Sequence, residues 1–139
     1  MNTIFVYGSL KRGQNHHYYL LRDSKFLGSF RTAPKYRLFD AGSYPLLVKD
    51  EDRGHPVQGE VYEVSPDLLA DLDFHEGVPN SYVRGPVEIP QLQGVEANFY
   101  RRCTRWAEEI GETWPPVPHH SRLKRGYWQV LKVLHRTVI

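Results

Sequence analysis

The sequence predicts a domain of the α+β class, in which short strands outnumber helices. Short runs of strand-favouring residues recur between glycine, proline and acidic turn signals. The periodicity becomes helical once, after residue 65. At 139 residues, the chain is long enough to bury a core of its own as one domain.

The predicted strands are apolar or alternating runs between turn signals. Ile4–Val6 is wholly apolar, so we expect it to be buried on both faces. Val57–Val64 alternates in part, and its Gly59 indicates a bulge or a close approach of another segment. The other predicted strands are 25–31, 36–39, 45–48, 81–89 and 95–101.

Beyond the strands, the pattern is less regular at both ends of the chain. A short helix capped by Asn15 is predicted to carry Tyr18–Leu21. Residues 106–114 are of mixed character. Residues 122–139 are basic and apolar, and their pattern leaves open a helix or a strand, packed on the body or against a partner subunit. We therefore divide the chain into a domain, 1–121, and a C-terminal tail, 122–139.

The first strand ends at Tyr7-Gly8-Ser9-Leu10. Gly8 permits unusual backbone conformations and the close approach of a ligand, and Gly13 closes the loop. Backbone N–H groups turned inward at a buried strand end would bind an anion or a carbonyl oxygen. An ordinary strand-to-loop turn is the alternative, and this stretch alone favours it. It is not a phosphate loop, because neither Lys-[Ser/Thr] after the glycines nor Gly-x-Gly-x-x-Gly occurs.

A helix is predicted from Pro66 to about Glu76. Ser65 supplies a capping hydroxyl, proline occupies the first helical position and Asp67 lies in the first turn. Leucines at 68, 69 and 72 mark its inward face, and Gly77 ends it.

Glu76 falls on the inward stripe of this helix, four residues after Leu72 and seven after Leu69. Burial and the negative end of the helix dipole both favour a protonated carboxyl, so we expect its pKa to be raised, as suits an acid–base catalyst. Alternatively, the helix frays at Asp73 and Glu76 is a solvated loop acid. Asp73 flanks the stripe and is expected to be solvated or bonded to the backbone. Tyr82 could return beside Glu76 or be a core or edge residue.

Composition argues against several functions. The net charge of +2, with acids and bases interspersed, disfavours a nucleic-acid surface. We expect no membrane span, because no apolar run approaches the length required, and residues 1–10 do not resemble a secretory signal. The single cysteine, Cys103, cannot form an internal disulfide, so a reducing, cytoplasmic location is expected. A catalytic role for Cys103 is disfavoured because the sequence places no base beside it. The adjacent histidines 16–17 and 119–120 make poor metal-binding pairs.

Five motifs occur in a characteristic order along residues 3–102. They are Tyr7-Gly8-Ser9-Leu10-Lys11-Arg12-Gly13, Tyr44-Pro45-Leu46, Gly59-Glu60-Val61-Tyr62-x-Val64, Leu72-Asp73-x-x-Glu76-Gly77-x-Pro79-x-x-Tyr82-x-Arg84 and Phe99-Tyr100. In this order they resemble the gamma-glutamylcyclotransferase-like (AIG2-like) superfamily, and most closely its gamma-glutamylamine cyclotransferase branch. The first and fourth motifs are specific as a pair.

The resemblance implies a small, curved, barrel-like mixed sheet with short helices around a cavity. It implies an enzyme of lyase or acyltransferase type, without metal or cofactor, that converts an L-gamma-glutamyl amide to 5-oxoproline and a free amine. Glu76 would be the catalytic base and acid, the Tyr7–Leu10 loop would hold the glutamyl group, and Tyr82 would add a hydroxyl.

Alternatives to this activity remain. The same cavity could hold a small carboxylate without turnover, or the basic tail could bind a nucleic acid or a protein partner. The leaving amine is also open, between gamma-glutamyl-lysine, glutathione-like peptides and gamma-glutamyl groups on a small biosynthetic amine.

Overall fold

The computed structural model describes residues 1–8, 10–14, 17–20, 24–76, 78 and 81–116, with the backbone alone at residues 18, 19, 75 and 76. In this part of the chain are one α-helix, α1 (Pro66–Glu76), and one 3-10 helix (His17–Leu20). The strands are β1 (Asn2–Val6), β2 (Ser24–Arg31), β3 (Tyr36–Asp40), β4 (Pro45–Lys49), β5 (Gln58–Val64), β6 (Tyr82–Pro86), β7 (Val95–Tyr100) and β8 (Glu108–Ile110).

The strands form two sheets, one in the order β2-β5-β1-β7-β6 and one in the order β4-β3-β8. β1 is the central strand of the larger sheet, antiparallel to β5 and parallel to β7. The sheets curl but do not close into a barrel. The predicted α+β class is confirmed.

β1 contributes to a hydrophobic core on each side of the larger sheet. Ile4 and Val6 pack in a cluster with the inward leucines of α1. Phe5 and Tyr7 point the other way, into a cluster that includes residues of the smaller sheet. The prediction that Ile4–Val6 is buried on both faces is confirmed, since all three side chains are buried.

α1 begins and ends where the sequence predicts. The Ser65 hydroxyl accepts a hydrogen bond from the Leu68 N–H at 3.1 Å, which satisfies one of the free donors of the first turn. Leu69 and Leu72 are buried at 8% and 4% exposure, so the helix turns its leucine stripe toward β1.

Gly59 on β5 marks a close approach, one of the two predicted alternatives. A Cβ at this position would lie 2.5 Å from the carbonyl oxygen of Val6 and 2.6 Å from the Phe5 ring. The irregularity of this strand pair lies instead on β2, where the register shifts between Phe26 and Gly28.

Two local predictions differ from the structure, and one segment for which no element was predicted contains a strand. The strand predicted over 81–89 ends at Pro86. The Val87 N–H still donates to Val95 of β7 at 3.0 Å, but the backbone of Glu88 bonds to the Tyr36 hydroxyl and the Ala33 N–H, so the pairing with β7 stops there. The mixed segment 106–114 contains the short strand β8, which pairs with β3. The helix predicted after Asn15 is a 3-10 turn where described. Residues 117–139 lie outside the described residues, so the division at 121 stays a prediction.

Candidate active site

The loop after β1 is held from both sides. Tyr7 is 1% exposed, and its hydroxyl donates to the backbone carbonyl of Asn98 on β7. The Lys11 N–H donates to the carbonyl of Gly8 at 3.0 Å, and the Lys11 ammonium donates to the carbonyl of Trp114. Burial lowers the pKa of Lys11, although the charge of Glu60 opposes this shift.

Glu60 of β5 secures the outer part of this loop. Its Oε1 accepts hydrogen bonds from the Arg12 N–H at 2.8 Å and from the Tyr62 hydroxyl at 3.0 Å. Burial raises the pKa of Tyr62, and the negative charge of Glu60 adds to the shift, so this hydroxyl remains a donor. The Arg12 guanidinium lies 3.6 Å from the centre of the Phe26 ring. Gly13 has a φ of 83°, so it can close the loop where other residues would be strained.

The loop and α1 meet at one narrow cleft. Its lining includes Tyr7, Gly8 and Leu10 from the loop and Leu69 and Leu72 from the helix. The cleft has a volume of about 30 Å³. This is room for one or two water molecules, so a glutamyl group would have to displace water and widen the cleft.

Polar side chains from three elements line the cleft alongside these residues: Asp73 of α1, Arg84 of β6, and Glu96 and Asn98 of β7. Arg84 Nη1 donates to the Asp73 carboxylate, and Arg84 Nε lies 3.5 Å from Glu96 Oε1. The expectation that Asp73 is solvated or bonded to the backbone is therefore wrong. The sequence motif contained Arg84, but only the pairing of β6 with β7, which sets Arg84 opposite Asn98, revealed its position. Glu96 and Asn98 are two residues apart on β7 and share one face of the strand.

Some of the predicted site residues line the cleft, and others lie outside the described part of the chain. Tyr7, Gly8 and Leu10 line the cleft, whereas Ser9 lies outside the described residues. Glu76 is the last residue of α1, three positions after Asp73, and its side chain also lies outside the described part. Its role and its expected pKa stay predictions.

Tyr82 is 4% exposed and belongs to the core cluster near the smaller sheet. Its hydroxyl donates to the backbone carbonyl of Pro45 at 2.8 Å. This hydrogen bond satisfies the hydroxyl within the core, and a contact with the substrate stays a prediction.

The fold and the cleft together define a small α+β domain with a partly polar cleft between a strand-end loop and a helix. Among the described residues, no group of three or more His, Cys, Asp and Glu could hold a metal ion. No helix in this part of the chain is long and apolar enough to cross a membrane.

Comparisons with known proteins give the family. The model of the family described as "Gamma-glutamyl cyclotransferase, AIG2-like" matches residues 4–130. A gamma-glutamylaminecyclotransferase from Rattus norvegicus is 40% identical over 136 residues, covering 87% of this chain and 88% of the relative. The chain therefore belongs to the AIG2-like gamma-glutamyl cyclotransferase family, and the resemblance found in the sequence motifs is confirmed.

Solved structures share the fold. An AIG2-like protein from Mus musculus is 31% identical, with a TM-score of 0.61 and coverage of 86% of both chains. The solution structure of the protein ytfP from Escherichia coli is 30% identical, with a TM-score of 0.63, and covers 81% of this chain and 96% of that one. Family membership supports an enzyme with gamma-glutamylcyclotransferase-type activity.

Proposed function

We propose that the protein is a gamma-glutamylamine cyclotransferase, which converts an L-gamma-glutamyl amide to 5-oxoproline and a free amine. One observation carries the proposal: the two most specific motifs of the sequence meet at one cleft, which Tyr7, Gly8 and Leu10 line from one side and Leu72 and Asp73 from the other. The name and coverage of the Rattus norvegicus relative support the choice of a gamma-glutamylamine as substrate.

The substrate carries its own nucleophile. The α-amine attacks the gamma-carbonyl carbon in a five-membered ring closure, and the bond between that carbon and the amide nitrogen then breaks. Holding the two reacting groups together can supply about 7–11 kcal/mol in favourable intramolecular cases. The cleft therefore has mainly to fold the glutamyl group and exclude alternative conformations.

Glu76 is the proposed acid–base group. It accepts the proton that the α-amine loses and returns a proton to the departing nitrogen, so that the products are neutral lactam and amine. Residues 69, 72 and 73, which precede Glu76 by seven, four and three positions, all line the cleft. These are the spacings of neighbours on one helix face, so the end of α1 supports placing Glu76 at this site.

The loop after β1 is the proposed oxyanion site. The N–H groups of Lys11 and Arg12 are already bonded to the Gly8 carbonyl and to Glu60. The donors proposed for the substrate are therefore those of residues 8–10. A backbone donor aimed at a developing oxyanion is worth about 3–4 kcal/mol.

The test is a substrate panel with 5-oxoproline as the measured product. We expect gamma-glutamyl-ε-lysine or a related gamma-glutamylamine to be turned over, and Glu76→Gln to lower kcat by at least about a thousandfold, since it removes both proton transfers. Asp71→Asn is the matched control, because Asp71 is an exposed carboxylate of the same helix. Turnover by Glu76→Gln equal to the wild type would refute the mechanism. Saturable 5-oxoproline binding without turnover of any substrate would instead indicate a non-catalytic binding module.

A further inference from the structure

A second depression lies on the smaller sheet and shares no lining residue with the cleft. Across the strands, Arg37 pairs with Val48 and Phe39 with Glu109, so these four side chains lie on one face. The loop between β7 and β8 completes the walls. The depression has a volume of about 560 Å³, and typical small-molecule sites measure about 300–1,000 Å³. We call it the arginine groove, after Arg37, Arg53, Arg102 and Arg105, which line it.

Half of the positive charge in the arginine groove is balanced. Arg37 donates to both carboxylate oxygens of Glu109, at 3.0 and 2.6 Å, and to Asp50 at 3.3 Å. Arg53 Nε lies 3.6 Å from the same Asp50 carboxylate. The hydrogen bond from Arg37 lowers the pKa of Glu109, and backbone hydrogen bonds from Arg53 and Asp52 lower the pKa of Asp50, so both carboxylates stay ionised.

The other two arginines carry unbalanced charge. Arg102 and Arg105 are exposed, and neither forms an ion pair with any residue that the structure describes. Four arginines against Glu109 and Asp50 leave a surplus of two positive charges around the groove. Thr104 also lines the groove, and its side chain carries a hydroxyl donor.

We propose that the arginine groove binds a small molecule that carries a phosphate monoester. Such a group has a charge of about −1.5 to −2 at neutral pH, which matches the surplus. Guanidinium groups present paired N–H donors that fit phosphate oxygens, and all four lining cations are arginines. The half-buried apolar side chains of Val48 and Ala107 give the rest of the molecule a surface to pack on.

Phenyl phosphate is a suitable probe, with succinate as a dianion without phosphate. In a ¹H–¹⁵N NMR titration of the full chain, we expect saturable shifts at residues 37–53 and 102–109, and binding at least tenfold tighter than that of succinate. Arg102→Gln with Arg105→Gln should weaken phenyl phosphate binding at least tenfold. The control pair Lys25→Gln with Arg31→Gln removes the same charge elsewhere and should change affinity less than twofold.

Three results of this titration would overturn the proposal. They are shifts centred on the cleft, equal weakening by both double variants, and succinate binding as tight as that of phenyl phosphate.

Cys103 provides an independent measurement, because it is the only cysteine of the chain, is exposed and lines the arginine groove. We expect saturating phenyl phosphate to slow alkylation of Cys103 by iodoacetamide at least fivefold, and to give no such protection in the Arg102→Gln, Arg105→Gln variant. An unchanged alkylation rate in the wild-type protein would contradict the proposed site.

Discussion

The contact between Arg84 and Asp73 is expected to anchor the last turn of α1 on β6. Their side chains are 26% and 22% exposed. Loss of one partner costs about 3–5 kcal/mol in a fully buried pair, whereas a surface pair contributes about 0–1 kcal/mol. Arg84→Met keeps much of the apolar stem but leaves the Asp73 carboxylate partly buried without its cation. For this intermediate burial we expect Arg84→Met to lower the free energy of unfolding by about 2 kcal/mol.

A double-mutant cycle separates the pair from the general effect of each substitution. Asp73→Asn removes the orphaned charge, so the double variant should be less destabilised than the sum of the single variants, with a coupling energy of about 1–2 kcal/mol. Urea unfolding followed by far-ultraviolet circular dichroism gives these values. Arg31→Met is the matched control, because Arg31 and Glu112 form an ion pair whose side chains are 57% and 42% exposed. We expect it to cost less than about 1 kcal/mol.

Activity gives the second measurement on the same variants. Asp73 and Glu76 lie on the same turn of α1, so a loosened Asp73 should misplace the proposed catalytic carboxylate. We expect Arg84→Met to lower kcat about 10- to 100-fold, since small displacements of a catalytic group are costly, with KM changing much less. Strictly additive stability effects would refute the anchoring argument. Full kcat in a destabilised Arg84→Met would show that the pair holds the fold without positioning the site.

Three further predictions concern the frame around the cleft. In thermal melts, Gly59→Ala should destabilise the protein by about 3 kcal/mol, since the new methyl group meets the Val6 carbonyl oxygen and the Phe5 ring. Gly85→Ala is the control and should be near neutral, because the nearest atom to a new Cβ at Gly85 lies at 3.8 Å. Tyr82→Phe should cost about 1 kcal/mol in urea unfolding by removing the hydrogen bond to Pro45, while a raised KM in the same variant would indicate a substrate contact. The pKa of Lys11 is lower in the folded than in the unfolded chain, so the unfolded state binds more protons, and the free energy of unfolding should rise with pH between the folded pKa and 10.5. In Lys11→Met this rise should be smaller, and a slope equal to that of the wild type would contradict the argument.

The sequence predicted those elements whose ends carry local signals. Ser65 and Pro66 define the start of α1 through capping and backbone geometry, and Gly77 in the sequence predicted its end. Both bounds of the helix were therefore correct. β8 could not be predicted, because Glu108–Ile110 has no apolar alternation and becomes a strand only by pairing with β3. The length of β6 depends likewise on partners that lie elsewhere in the chain.

The candidate site was predictable only in part for the same reason. The loop motif and the helix stripe could be recognised separately, but their meeting at one cleft depends on the central position of β1. Asp73 was misjudged because its partner Arg84 is eleven residues away on another element. The arginine groove combines β3, β4 and a later loop, so no local pattern could indicate it.

The segment after β8 binds the two sheets together through the backbone of Glu112, which accepts from the Gln58 N–H, and through the Trp114 indole, which donates to Asp40. The backbone carbonyl of Trp114 also accepts a hydrogen bond from the Lys11 ammonium. During synthesis, the loop after β1 can therefore form its hydrogen bond to Trp114 only after more than a hundred further residues have emerged. A ribosome-bound chain that stops short of Trp114 would contain the residues of this loop without the hydrogen bond from Lys11 to Trp114 that holds it.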